Sequence, residues 1–374
     1  MRYVFEILFI FLPYLKPHNI TLIPALDSLF QIWKILATVL LVIKVIRKRV
    51  ISKQILYILP FCGIWILSMY VNNSISQDVI NGILSILGIH MYYEIYKDNY
   101  TAYSSFITTL GVLSKIYLVC QIITMIIIDG PFFCTLSDYT SDRFFLGGDN
   151  LSAFIMIVLS TIMFYADYFQ YRTITKTSWI IFFLEYISLV KQFVGAAMVS
   201  FLVMFLLIVF RDNRKIQNWV TPKKAIVLSI VFVILVAFGD LADQMNSILS
   251  SVDKIGFNGR AGIWYSAFKA IQNKPLLGYG SVSNIQLMRS LLYHTNHTHN
   301  IVLEFLFETG LLGTIAFLYY LARSFQRNKP VNKILLIGIS VYILNSIFDF
   351  YITSIYFYLL ILLLVWNQRV NCSS

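Results

Sequence analysis

Residues 178–210 read SWIIFFLEYISLVKQFVGAAMVSFLVMFLLIVF, and this stretch decides the fold class. Its only charged residues are Glu185 and Lys191. A helix needs roughly 20 apolar residues to cross the hydrocarbon core of a bilayer, or a few fewer when its flanks snorkel. The stretch is too long for one crossing, and it breaks at Lys191. Two spans in a tight hairpin with its tip on one membrane face satisfy both facts. A second long run, 334–367, breaks in the same way at Asp349.

The whole chain repeats this character. Of 374 residues 58% are hydrophobic and 13% are charged, where soluble domains carry about 25% charged residues. The mean hydropathy is +0.74. Water could not solvate that surface, so soluble, fibrous and disordered classes are excluded, and a lipid-solvated helical bundle remains. Twelve candidate spans are expected at about 4–15, 26–46, 54–71, 78–96, 103–128, 150–169, 178–190, 193–210, 224–240, 300–321, 334–349 and 351–367. The first is interrupted by Pro13 and Pro17. The expectation is an all-α, polytopic transmembrane bundle of about 10–12 spans, a single domain over 1–374.

The net charge of +11 would point to nucleic acid in a soluble chain. In a membrane protein it reads as cytoplasmic loops rich in Lys and Arg. With both termini cytoplasmic, nineteen of the 29 Lys and Arg fall on the inner side and eight on the outer. Lys34 and Lys115 lie within spans. No cleavable signal peptide or internal repeat is evident. The cysteines Cys62, Cys120, Cys134 and Cys372 have neither metal nor redox spacing, and no disulfide framework is expected.

Two outer segments break the apolar monotony, 129–149 and 241–299. The second is a large extracytoplasmic loop with a helical pattern of its own. Arg260, Ile263, Trp264, Ala267, Phe268 and Ile271 share one face, Asn258 stands as N-cap, and Pro275 closes the helix. An amphipathic helix over about 258–273 is expected on the outer membrane surface.

Ionisable groups at that face are the candidate site, because polar groups at a membrane rim are costly. Arg143 precedes a span, Lys191 sits at a hairpin tip, and Arg260 opens the amphipathic helix. Each reads either as an anchor reaching for water or as part of an anion site. Convergent cations suit a phosphate-bearing headgroup, and an Arg fork grips it with two hydrogen bonds. His294, His297 and His299 offer imidazoles. No acidic or cysteine partner stands at ligand spacing beside them, so a metal site is not expected. His299 lies at the N-terminus of a span, capped by Thr298 or Asn300. The positive helix end favours its neutral, proton-accepting form and also an anion nearby. Glu304 and Glu308 follow at i+4 spacing, either as polar packing within the bundle or as part of the site. Asp349, at the second hairpin tip, either orients His299, holds a sugar hydroxyl or simply meets water. There is no Gly-x-x-x-x-Gly-Lys-Ser/Thr loop and no Asp-x-Asp, so a transferase here needs a substrate with its own leaving group.

Four motifs stand in order: Arg260-Ala-Gly-Ile-Trp264, Lys274-Pro-Leu-Leu-Gly278-Tyr-Gly280, His299-Asn300-Ile-Val-Leu303 and Glu308-Thr-Gly-Leu-Leu-Gly313. Over roughly 255–315 they resemble the signature of the O-antigen ligase/polymerase (Wzy-type) superfamily. Arg143 to Asn150 resembles that family's upstream Arg-Gly-Asn segment. The resemblance implies a glycosyltransferase of capsule or O-antigen biosynthesis in the bacterial cytoplasmic membrane. Its donor would be an undecaprenyl-pyrophosphate-linked oligosaccharide, and it would work without metal or cofactor and with inversion. By position, His299 and Asp349 are the implied catalytic residues. Arg260, Lys191, Arg143 and Glu304 are the candidate substrate-binding residues, Lys191 standing where many members have Arg. The main expectation is a polymerase of lipid-linked repeat units, with a flippase and a chain-length regulator as protein partners and no nucleic acid. The alternatives are an O-antigen ligase of the same superfamily and a flippase or other transporter of the lipid-linked unit.

Overall fold

The computed structural model describes residues 2–49, 53–132, 144–213, 221–238, 260–281, 291–292, 297–325, 331–352 and 354–370. Among these residues the protein is all-α and contains no sheet, only an isolated bridge between Phe144 and Gly147. We number the helices α1 (Arg2–Phe11), α2 (Pro24–Lys48), α3 (Lys53–Val71), α4 (Gln77–Tyr96), α5 (Tyr100–Ile122), α6 (Asp149–Tyr171), α7 (Lys176–Lys191), α8 (Gly195–Val209), α9 (Pro222–Phe238), α10 (Arg260–Asn273), α11 (Ile301–Ser324), α12 (Lys333–Asn345) and α13 (Ile355–Val370). A π-helical turn, Ile123–Ile128, extends α5.

Five of these helices are long and apolar enough to cross a membrane: α2, α3, α5 with its π-helical extension, α6 and α11. At 1.5 Å per residue, the 23 residues of α6 reach about 34 Å. The protein is a polytopic membrane bundle. Helices α8, α12 and α13 are apolar but shorter.

The hydrophobic pattern of each helix follows its neighbours. In α13 every residue from Ile355 to Gln368 is buried. Its continuous apolar run has no polar stripe because no face meets water. The opposite case is α2, where Leu29, Ile32, Ile35, Leu36, Val39, Leu40, Ile43 and Ile46 are exposed. An apolar face left outward along a 25-residue helix is the surface that lipid solvates. Where helices approach closely a small residue sits between them: a Cβ on Gly111 of α5 would lie 2.4 Å from that of Ala166 on α6.

Pro13 and Pro17 end the first apolar run as expected. Helix α1 stops at Phe11 and a 3-10 turn, His18–Leu22, follows. Helices α7 and α8 form the hairpin read from 178–210, joined by Gln192–Val194. The 334–367 hairpin differs from its expected form. Its two helices end at Asn345 and resume at Ile355, so Asp349 lies within a nine-residue connection instead of at a one-residue break. Ser346, Ile347 and Phe348 make helical-type turn bonds to Tyr342, Leu344 and Asn345, which ends α12 early.

Helix α11 is interrupted at Gly310 (φ 63°, ψ −169°), and residues 274–280 fill the interruption. Tyr279 and Gly280 N–H donate to the carbonyls of Phe307 and Glu308 at 2.7 and 2.9 Å. Leu311 and Leu312 N–H donate to the carbonyls of Pro275 and Leu276 at 2.8 and 3.2 Å. A helix broken at membrane depth must satisfy its freed backbone groups within the protein, and this strap does so. Gly278, with φ 67°, permits the approach: a Cβ there would sit 2.4 Å from the carbonyl oxygen of Phe307.

Candidate active site

The site is built from three segments: the residues before α11, the α12–α13 connection and the start of α10. Asn300 caps α11, its Oδ1 accepting from Val302 and Leu303 N–H at 2.9 and 3.2 Å. The same side chain donates from Nδ2 to the carbonyl of Ile347 at 2.9 Å, and Ile301 N–H donates to the carbonyl of Ser346 at 2.9 Å. These bonds set the register between the His-Thr-His segment and the connection bearing Asp349. Of the two expected caps Asn300 performs the role. Thr298 instead gives its backbone N–H and its hydroxyl to Glu304 Oε2, at 2.7 and 2.6 Å.

Both flanking histidines then meet one carboxylate. His297 Nε2 lies 3.0 Å and His299 Nδ1 3.1 Å from Oδ1 of Asp349, which also accepts from Phe350 N–H at 2.9 Å. His299 holds a left-handed backbone (φ 54°), which a non-glycine residue adopts at a cost of order 1–3 kcal/mol. The left-handed residue sits directly before the capped helix start, where the chain turns to bring His299 onto Asp349. The side chain of Asp349 is 4% exposed, and those of His297 and His299 14% and 16%, so the cluster opens at its imidazoles. The His297 ring also packs on His299 and Tyr351, with centroids 3.7 and 4.8 Å apart.

Burial pushes the Asp349 carboxyl up, but the bonds and charges of His297 and His299 outweigh it and hold the group well below the usual carboxylate range. Burial pulls His297 down. The hydrogen bond and charge of Asp349, then the charge of Glu304, outweigh it and raise His297 above the ordinary imidazole range, against the opposing charge of Arg260. An ionised carboxylate only accepts hydrogen bonds, so the bonded nitrogens of both rings donate.

Arg260 opens α10, and its charge bears on His297. The expected position of α10 differs from the observed one. Ile263, Trp264, Ala267 and Ile271 are buried, Trp264 and Ala267 among them in a small core with Leu303 and Phe307 of α11, instead of lying on the membrane surface. Trp264 stacks edge-on against Phe232 of α9 (5.3 Å), and Phe232 against Phe348 (5.8 Å), next to Asp349. The apolar stripe thus docks the arginine helix onto the turn that carries the carboxylate.

Glu304, expected as a substrate contact, is buried and holds Thr298. It also meets the Glu308 carboxyl, whose Oε2 accepts from Trp65 Nε1 at 2.9 Å. Lys191 bonds to the end of α5 instead of this cluster. Its Nζ donates to the carbonyls of Met125 and Ile126, both at 3.1 Å, and lies 3.7 Å from Asp129. A cation at carbonyls left unpaired by a helix end needs no further ligand to explain it. Arg143, His294 and Asn258 lie outside the described residues, as does most of 241–299.

Sequence reasoning passed over His297. Its i+2 spacing to His299 was visible, but its partner Asp349 is about fifty residues away. The acidic group missing beside the histidines is supplied from that distance. His297, His299 and Asp349 each present one donor atom, all within 4.8 Å of one another, a spacing that would also admit a cation.

No curated protein and no solved structure matches the chain. Residues 177–318 match the family model described as O-antigen ligase. The matched stretch contains every residue of the cluster except Asp349 and its connection.

Proposed function

We propose that the protein is a membrane glycosyltransferase that moves a glycan from a polyprenyl-pyrophosphate carrier to an acceptor hydroxyl at the outer face of the cytoplasmic membrane. The observation that carries this reading is the meeting of the His299–Asp349 pair with the arginine-bearing helix α10. In this reading His299 supplies a base for the hydroxyl, and Arg260, whose charge reaches His297, a cation for a diphosphate.

In this reaction Asp349 orients His299 and stabilises the charge it acquires. His299 Nε2 takes the acceptor proton as the oxygen attacks the anomeric carbon. Arg260 steadies the charge growing on the departing diphosphate. Attack from the face opposite the leaving group inverts the anomeric centre. Glu304 acts through Thr298, keeping the His-Thr-His segment in place. Lys191 supports the end of α5 and stands outside the reacting group.

The family description favours a ligase, which hands a finished chain to a separate membrane-anchored acceptor, over a polymerase, which hands it to the next lipid-linked unit. Deleting the gene and sizing both polysaccharide and lipid-linked intermediates tests this. Full-length polymer stranded on its carrier is the expected outcome. Single repeat units without a ladder would make it a polymerase, and units trapped on the cytoplasmic side would make it a flippase. His299→Ala and Arg260→Ala proteins that reach the membrane should be inactive. Activity in both would refute the site.

A further inference from the structure

Glu308 is a buried acidic residue to which the reaction above gives no role. It stands one helical turn beyond Glu304 on the same side of α11, and both side chains are buried. A hydrogen bond joins the two carboxyls. An ionised carboxylate only accepts hydrogen bonds, so one member of the pair holds a proton. Their neighbours indicate which. Glu304 Oε2 accepts both the N–H and the hydroxyl of Thr298, at 2.7 and 2.6 Å, and negative charge on Glu304 bears on His297. Glu304 is therefore the accepting member. Glu308 Oε2 takes the indole N–H of Trp65 at 2.9 Å. A neutral carboxylic acid suits that position, because one oxygen accepts from the indole while the hydroxyl donates to Glu304.

Three segments also meet at Glu308. Its backbone carbonyl accepts from Gly280 N–H of the strap and from Ser68 Oγ of α3, both at 2.9 Å. Trp65, which holds its side chain, belongs to α3 as well. From this junction the path runs through Glu304 to Thr298, the residue between the two histidines that meet Asp349. The catalytic segment is thereby referenced to α3, a helix that supplies no reacting group.

We infer that Glu308, a neutral carboxylic acid held by Trp65, is a positioning residue of the reaction. Its hydroxyl fixes the Glu304 carboxylate on Thr298, and Thr298 in turn fixes the backbone that carries His297 and His299. This rests on the glycosyl-transfer reading above. Without the donor at position 308, Glu304 can turn from Thr298 and the His-Thr-His segment can shift. Displacing catalytic groups by about 1 Å costs on the order of 10²-fold in rate even when the altered residue lies away from the chemistry.

The test uses the full-length protein in nanodiscs with an undecaprenyl-pyrophosphate-linked glycan and its acceptor. Kinetics are paired with infrared spectra of the substrate-free protein, in which a protonated carboxyl absorbs apart from carboxylates. Glu308→Leu removes the donor and should lower kcat by about 10²-fold while both KM values hold within about twofold, the signature of misplaced catalytic groups. Glu308→Gln keeps an N–H donor for Glu304 and an acceptor for Trp65, so it should recover kcat to within about threefold of wild type. The same variant should lack one protonated-carboxyl band that the wild type shows. A folded Glu308→Leu protein with kcat within about threefold of wild type overturns the inference. So does a Glu308→Gln protein as slow as Glu308→Leu, or one that loses no protonated-carboxyl band. Should Glu308→Leu fail to fold, the rate and the spectrum of Glu308→Gln decide. A wild-type protein that turns over no such donor overturns the glycosyl-transfer reading itself, and the infrared difference still tests the proton on the Glu308 pair.

Discussion

The strap that fills the break in α11 yields a sharp mechanical prediction. Replacing Gly310 by Ala places a Cβ 2.3 Å from the carbonyl oxygen of Leu276, a backbone atom that cannot swing aside. The residue also holds φ 63° and ψ −169°, a region open essentially to glycine alone, which costs about 2 kcal/mol for any other side chain. Relieving the clash means displacing the strap by about an ångström, which breaks two to four of its hydrogen bonds to α11. Each contributes about 1 kcal/mol net, and the groups left unpaired have no water to turn to. The sum is about 4–6 kcal/mol. Unfolding entropies of about 2 cal/mol/K per residue convert this, for 374 residues, to a fall in Tm of about 5–8 °C. The assay is thermal unfolding in nanodiscs followed by tryptophan fluorescence, since Trp65 bonds to Glu308 and Trp264 packs with Phe307 near the break. Gly63→Ala is the control. It lies inside α3, a Cβ there meets nothing within 4 Å, and Ala should raise Tm slightly. A Gly310→Ala protein melting within about 1 °C of wild type would refute the role assigned to the strap.

Further expectations concern the site and its supports. Asp349→Asn should abolish transfer and flatten the pH dependence of stability. The raised His297 contributes stability that is complete below the unfolded imidazole pKa of about 6.5 and is lost as pH climbs through its folded value. The wild-type Tm should therefore fall as pH rises above about 6.5 while that of the variant changes less. The depressed Asp349 contributes stability that is complete above the unfolded carboxyl pKa of about 3.9 and is lost only as pH falls through its lower folded value. Trp65→Phe leaves Glu308 without its indole partner and should cost about 1–3 kcal/mol, read as a lower Tm. Lys191→Ala should lower Tm by a few degrees yet keep more than half of wild-type kcat. A loss of kcat beyond tenfold, with the fold intact by circular dichroism, would return Lys191 to the substrate site.

Much of the architecture was legible in the residues. Apolar runs of about 20 residues between charged loops leave a helical membrane bundle as the only way to bond the backbone. The break at Lys191 marked a hairpin because a charge seldom stays at the centre of a span. The fate of the amphipathic stripe on α10 was not legible. Ile263, Trp264, Ala267 and Ile271 would suit either a lipid surface or a protein core, and periodicity is the same for both. Glu304 was equally ambiguous, since its role depends on which way Thr298 turns its two donors.

The sequence alone determined that the chain spans a membrane, and it put His299 and Arg260 among the chemical candidates. Residue type and spacing carry that information, because both hydrophobic thickness and charge cost are local properties. Only the tertiary structure decided that Asp349 meets His297 and His299 at once and that Lys191 bonds to the end of α5. Those facts depend on groups 50 to 66 residues apart being fixed at about 3 Å. The capped start of α11, the turn ending α12 and the strap at Gly310 impose that register, and no one-dimensional pattern records it.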